Sequence, residues 1–144
     1  MKAKRIDHVV IAVKNLEAAV ATYQHNFGLE QVSGGEVPSL GIRNAFLPIG
    51  ESQIELITPL SEQGPVADFL AKHGGGMYLL ALEVDNLDEA ITTLQNQGAR
   101  VNVATGSAGQ RLAFVSPRAT HGVLLQLIEK SENLGVQESR SLGV

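Results

Sequence analysis

One stretch of this chain is written twice. Ile6–Glu17 reads as an apolar, β-branched strand that runs straight into a helix. The same pattern returns over Tyr78–Asp88: Val13 falls on Val84, Asn15 on Asn86, Leu16 on Leu87 and Ala19 on Ala90, each 71 positions on. Two further matches follow in the same order. Gly41–Phe46 matches Gly109–Phe114 with four identities in six, and Ile54–Ile57 matches Leu125–Ile128. Ordered matches of this kind mean a duplicated module, which restricts the fold more than any single element does. The repeat has one telling break: His8, near the start of the first strand, falls on Leu79.

The punctuation within each copy gives the elements. Residues 5–14 are the first strand, and Asn15 suits the N-cap of a helix carrying Ala18, Ala19, Val20, Tyr23 and Phe27 at helical spacing, stopped by Gly28. Residues 29–32 read as a short strand with Ser33–Gly35 as a turn, then 42–47 and 53–58 as a hairpin around Pro48–Ser52. The second copy repeats the order: strand 79–84, a helix capped by Asn86 and running through Leu94, and strands 99–103, 110–115 and 123–128. Each module is therefore β-α-β-β-β. The expectation is an α+β protein in which two tandem modules form a partly closed, eight-stranded cleft with the helices outside. The boundaries are 1–59 for the first module, 60–76 for a linker with a short helix opened by Pro65, and 77–129 for the second, all in one structural domain. Residues 130–144 are polar and aperiodic and read as a frayed tail.

Composition removes several classes of function. The net charge of −4 lacks the basic footprint of a nucleic-acid binder, and 4% aromatic residues are too few for a stacking platform. No cysteine means no disulfide frame and no thiolate chemistry. No apolar run approaches the roughly 20 residues of a membrane span, and the apolar run after the basic Met1–Arg5 stops at Val13, with no long h-region, so the expected location is the cytoplasm. The Gly74–Gly76 run reads as a hinge, because no helix or lysine completes a phosphate loop.

Over residues 5–129 the chain resembles the vicinal oxygen chelate superfamily of glyoxalases, bleomycin-resistance proteins and dioxygenases. Within it, the chain is most similar to the methylmalonyl-CoA epimerases. The likeness rests on Ile6-Asp7-His8-Val9, on Phe46–Gly50 followed by Ile54-Glu55-Leu56, on Pro59-Leu60 and Gly64–Leu70, on Gly75–Met77 through Glu83–Asn86, and on Phe114–Pro117 through Gly122–Leu125. The resemblance implies a cleft where four strand positions hold a divalent metal. Here those positions are His8, Glu55, Leu79 and Gln126, with Tyr78 beside Leu79 and Asn44 where some members carry a further glutamate. It also implies a homodimer and a small-molecule carbonyl or acyl-CoA ligand.

Leucine ligates nothing and glutamine offers only a neutral carbonyl, so no cofactor is expected and a divalent ion there would be held weakly. That argues against ordinary metal-dependent epimerase activity. His8, Glu55 and Gln126 are the candidate catalytic residues, and Asn44, Leu79, Arg43, Arg111 and His121 are candidates for ligand binding. Alternatives stand beside these. His8 is either catalytic or a core-edge histidine hydrogen-bonded to Glu55, and repeat-related Arg43 and Arg111 either fork toward an anion or pair on the surface. His25 and His73 read as solvated. The candidate functions are an epimerase-like enzyme on a small acyl thioester or enolisable acid, a metal-free sequestering protein, and a metal-independent isomerase or lyase using His8 and Glu55.

Overall fold

The structure is a computed structural model that describes residues 1–130; of the tail expected over 130–144, all but Lys130 lies outside the described residues. The first module runs β1 (Ala3–Ala12), α1 (Leu16–Phe27), β2 (Ser33–Val37), β3 (Ile42–Ile49) and β4 (Ser52–Pro59). After α2 (Pro65–His73) the second runs β5 (Gly76–Val84), α3 (Leu87–Asn96), β6 (Val101–Thr105), β7 (Arg111–Val115) and β8 (Leu125–Ile128). The strands form one eight-stranded sheet in the order β2-β3-β4-β1-β5-β8-β7-β6, curled into a half-barrel. The two modules therefore meet edge to edge through β1 and β5, which pair antiparallel.

The repeated caps work as the sequence implies. Asn15 Oδ1 accepts from the Ala18 N–H at 2.9 Å, and Asn86 Oδ1 accepts from the Glu89 N–H at 3.0 Å. Each satisfies an otherwise unpaired donor of the first helical turn. Period-two alternation then sorts the sheet into two faces. Leu16, Ala45, Leu47 and Leu56 pack with Val20 and Tyr23 under α1, while Val84, Leu87, Ala90, Ala113 and Leu127 pack with Ile91 and Leu94 under α3. Leu47 and Leu56 are fully buried, and truncating either to alanine removes roughly 2–5 kcal/mol of stability. The inner face carries Val10, Ala12, Ile42, Ile57 and Leu79, and α2 lies against it through Val66 and Leu70. Only α1 and α3 are outer helices; α2 is part of the wall of the cleft.

Several strand boundaries differ from the sequence reading, among them the starts of β5 at Gly76 rather than Leu79 and of β8 at Leu125 rather than Val123. β1 is Ala3–Ala12, two residues earlier than expected. β6 is Val101–Thr105, two residues later, which leaves Ala99 outside it. The second strand is Ser33–Val37, with Leu29–Val32 forming the connection. Leu29 packs into the α1 core instead, and Gly34 serves in β2 because the backbones meet closely there. A Cβ on Gly34 would collide with the Asn44 carbonyl oxygen across the ladder.

Candidate functional site

The inner face of the half-barrel encloses a cavity of about 360 Å³. His8, Asn44, Glu55, Leu79 and Gln126 all line it, as the duplication implies. The ladder explains how they converge. His8 pairs with Ala81, Ala81 with Gln126, and Gln126 with Phe114, so His8 and Gln126 share one cross-sheet row with a single alanine between them. Val10 pairs with both Glu55 and Leu79, which puts those two in the adjoining row.

A fault in the β1–β5 ladder shapes the centre. Pairing passes from Ile6–Leu82 directly to His8–Ala81, leaving Asp7 as an extra residue on β1. It also passes from Val10–Leu79 to Ile11–Met77, leaving Tyr78 extra on β5. Since 7 + 71 = 78, the two bulges are repeat mates. Bulges of this kind re-aim side chains. Asp7 and His8 are consecutive, yet both are buried and they touch: His8 Nδ1 stands 2.7 Å from Asp7 Oδ2. In the second module the equivalent pair, Tyr78 and Leu79, lines the cavity together.

The polar groups form a chain. Lys130 Nζ lies 2.5 Å from Asp7 Oδ1. His8 Nε2 lies 3.1 Å from Glu55 Oε1, at ion-pair distance but without hydrogen-bond alignment, so this N–H has no well-directed protein acceptor. The Asn44 amide donates to Glu55 Oε2 at 3.0 Å, and Asn44 Oδ1 accepts from the Gly35 N–H at 3.1 Å. The glycine strand β2 thereby fixes which way the Asn44 amide faces. Burial pushes the His8 pKa down, but the Asp7 and Glu55 carboxylates more than offset it and hold it at about 9. Burial likewise pushes Asp7 up, and hydrogen bonds from His8 and Lys130 outweigh that and lower it. The centre is an imidazole ring whose two nitrogens face the carboxyl groups of Asp7 and Glu55, which favours the protonated ring.

The remaining candidates stand elsewhere. Arg43 forks onto Glu17, and Arg111 pairs with Asp88. These are exposed ion pairs outside the cavity lining, the surface reading rather than the ligand-binding one. Glu17 and Asp88 are themselves 71 apart, so the surface pair was duplicated with the fold. His121 is exposed, with a left-handed backbone at φ 60°, and does not line the cavity either. His25 and His73 are exposed. Asp7 and Lys130 belong to the centre or its rim and were not singled out from the sequence for it. For Asp7 a signal existed: an acid inside an apolar strand needs a partner.

The metal that the resemblance implies is a poor match for this donor set. Leu79 has no donor atom, Gln126 offers only an amide, and both nitrogens of His8 already face carboxylates. Among the described residues no group of three or more His, Cys, Asp or Glu side chains is placed to hold an ion. Catalytic zinc sites use three protein ligands, and these residues do not supply them.

Comparison with known proteins places the geometry in context. Residues 7–114 match the model of the glyoxalase/bleomycin resistance protein/dioxygenase superfamily. The chain is 35% identical over 127 residues to the mitochondrial methylmalonyl-CoA epimerase of Homo sapiens, covering 85% of this chain and 72% of that protein. It is 35% identical over 128 residues to the ethylmalonyl-CoA/methylmalonyl-CoA epimerase of Cereibacter sphaeroides, covering 85% of this chain and 96% of that one. The crystal structure of methylmalonyl-CoA epimerase from Mycobacterium tuberculosis superimposes with a TM-score of 0.84 at 35% identity, over 92% of this chain and 91% of that one.

Proposed function

The chain belongs to the glyoxalase/bleomycin resistance/dioxygenase superfamily, and from that premise we propose that it is an epimerase-like protein that binds a small acyl thioester or related enolisable carbonyl compound over His8 and Glu55 and moves a proton without a metal. The observation that carries this reading is the buried His8–Glu55 contact on the cavity wall, where Nε2–H is charged yet has no aligned acceptor.

The chemistry follows from charge and position. An imidazolium N–H held in a water-poor cavity donates to a ligand carbonyl oxygen and stabilises the negative charge that develops there. Glu55 is the carboxylate beside it. The α C–H bond breaks, the proton passes to Glu55, and the electron pair moves into the carbonyl to give an enolate whose oxygen Nε2–H holds. Glu55 exchanges that proton with solvent, and return of a proton from Glu55 restores the carbonyl. Inversion would need a proton donor on the opposite face of the enolate. Gln126 and Asn44, which line the cavity across from and beside Glu55, have no titratable proton to give. Tyr78, which also lines the cavity, does carry an ionisable O–H, and the supported reaction is enolisation at the α-carbon with Glu55 as the base.

The test is incorporation of solvent deuterium at the α-carbon of acyl-CoA esters, with a chelator present, for the wild type, His8→Gln and Glu55→Gln. Exchange that is lost in both variants supports the reading. Ligand binding without exchange identifies a sequestering protein instead. Binding unchanged in both variants removes His8 and Glu55 from the site.

A further inference from the structure

Both modules line the cavity with apolar residues, and the second adds Asn102, Ser107, Gln110 and Gln126, but the ionisable pair at its centre, His8 and Glu55, comes from the first module alone. The first contributes His8, Asn44 and Glu55. The repeat mates of these residues are Leu79, Leu112 and Gln126, and Tyr78, Phe114 and Leu124 extend the same apolar wall. Among the described residues lining the cavity, none is lysine or arginine. The one cation there, His8, is already flanked by Asp7 and Glu55, and Lys130 pairs with Asp7 from outside. Lys130, Asp7, His8 and Glu55 thus pair among themselves, two basic groups with two acidic ones.

A second carboxylate on the ligand would thus enter a centre with no cation left to receive it, and would stand against Glu55. Burying an unpaired charge is costly. An apolar substituent meets the opposite situation, because Leu79 and Leu112 offer it buried methyl groups where the first module offers an imidazole and an amide. We propose that the second-module wall is an acyl-chain pocket, that Leu79 and Leu112 set specificity, and that the ligand is a neutral acyl carbonyl compound with an apolar chain of several carbons rather than a dicarboxylic acyl group. This rests on the reading of His8 as the seat of the carbonyl oxygen.

The test measures affinity by calorimetry for acetyl-, isobutyryl-, hexanoyl- and methylmalonyl-CoA, a series in which only the acyl end changes. The same acyl groups on N-acetylcysteamine separate recognition of the chain from recognition of the coenzyme. Isobutyryl and hexanoyl esters are expected to bind at least about tenfold tighter than methylmalonyl, a difference of about 1.4 kcal/mol. Leu79→Ala is expected to weaken hexanoyl binding several-fold while acetyl binding is unchanged. If that variant does not fold, the wild-type series alone decides. Methylmalonyl-CoA binding as tightly as hexanoyl-CoA overturns the inference, as does a folded Leu79→Ala with hexanoyl affinity intact. His8→Gln separates the two readings. If it weakens every ester alike while the wild-type series shows no chain preference, the acyl pocket falls and His8 stays. If the chain preference persists and His8→Gln changes nothing, His8 falls and the acyl pocket stays.

Discussion

At the centre of the cavity the first half of the molecule carries ionisable side chains where the second, built on the same design, carries leucines and a glutamine. At equivalent places stand Asp7 and Tyr78, His8 and Leu79, Asn44 and Leu112, Glu55 and Gln126. The backbone makes no such distinction. Both β1 and β5 bulge at the equivalent residue, both helices begin at a capping asparagine, and both carry an arginine paired to the second residue of their helix. Duplication preserved the scaffold down to its irregularities while the side chains on its inner face diverged. Framework and chemistry are thus separable in this fold, and each can be disturbed without the other.

The strongest disturbance restores symmetry. The double change Leu79→His with Gln126→Glu puts an imidazole and a carboxylate opposite His8 and Glu55. If the two bulged strands hold equivalent geometry, the variant gains a divalent-ion site of micromolar affinity or better, about 8 kcal/mol of binding that the wild type lacks. Metal content after dialysis measures it, with one ion per chain expected for the variant and none retained by the wild type. Stoichiometric metal in the wild type, abolished by His8→Ala, would mean that Leu79 and Gln126 do not prevent ligation after all.

Next in size is the contrast between the two bulge residues. Asp7 holds both His8 and Lys130, so Asp7→Leu leaves two cations short of a partner and is expected to cost roughly 3–5 kcal/mol. Tyr78 contacts Phe69 edge-on at 5.1 Å through its ring. Tyr78→Phe keeps that contact and should change stability by no more than about 0.5 kcal/mol. Urea denaturation of both variants checks the pair. Equal effects would show that the polar bulge is no more committed than its apolar mate.

His8 also gives stability a pH dependence that its repeat mate, Leu79, cannot. His8 is raised from 6.5 to about 9 on folding, so folding favours the protonated ring. That contribution is fully present below about 6.5, declines above it, and is lost as pH passes through about 9. Asp7 works in the other direction: its lowered carboxyl contributes above its ordinary value of 3.8 and is lost as the solution is acidified further. Unfolding free energies near pH 6 and near pH 10 should differ by roughly 3 kcal/mol more in the wild type than in His8→Gln. The same slope in both proteins would assign the alkaline loss to other groups.

Much of this was legible in the sequence because duplication turns weak signals into paired ones. Asn15 alone is an ordinary cap, but Asn15 with Asn86 at equivalent places fixes two helices. His8 and Leu79 could be assigned to one cleft because β1 and β5 had to be related by the repeat. The bulges were not legible. Strict alternation puts Asp7 on the face opposite His8, and only the skipped pair in the ladder brings the two side chains together. β2 was hidden for a different reason: Gly34 and Gly35 look like a turn, whereas the missing side chain of Gly34 permits its close approach to the Asn44 backbone. Lys130 was hidden because its partner is remote in sequence and its position just after β8 looks like the start of the tail.

The smallest expected effect concerns the features the two halves still share. Arg43 and Arg111 sit at equivalent places, and equivalent helices supply their partners, Glu17 and Asp88. The carboxylates are largely exposed, so solvent and salt screen both pairs, and exposed pairs of this kind contribute little. Neither arginine lines the cavity. Arg43→Ala and Arg111→Ala should therefore each leave the thermal midpoint and the affinity for acyl-CoA esters unchanged within experimental scatter. The informative outcome is asymmetry. If Arg43→Ala weakened ligand binding while Arg111→Ala did not, the difference between the halves would extend beyond the cavity to its outer rim. The arginine would then have to leave Glu17 when the ligand arrives, and raising salt, which loosens that pair, would tighten binding in the wild type and have no such effect in the variant.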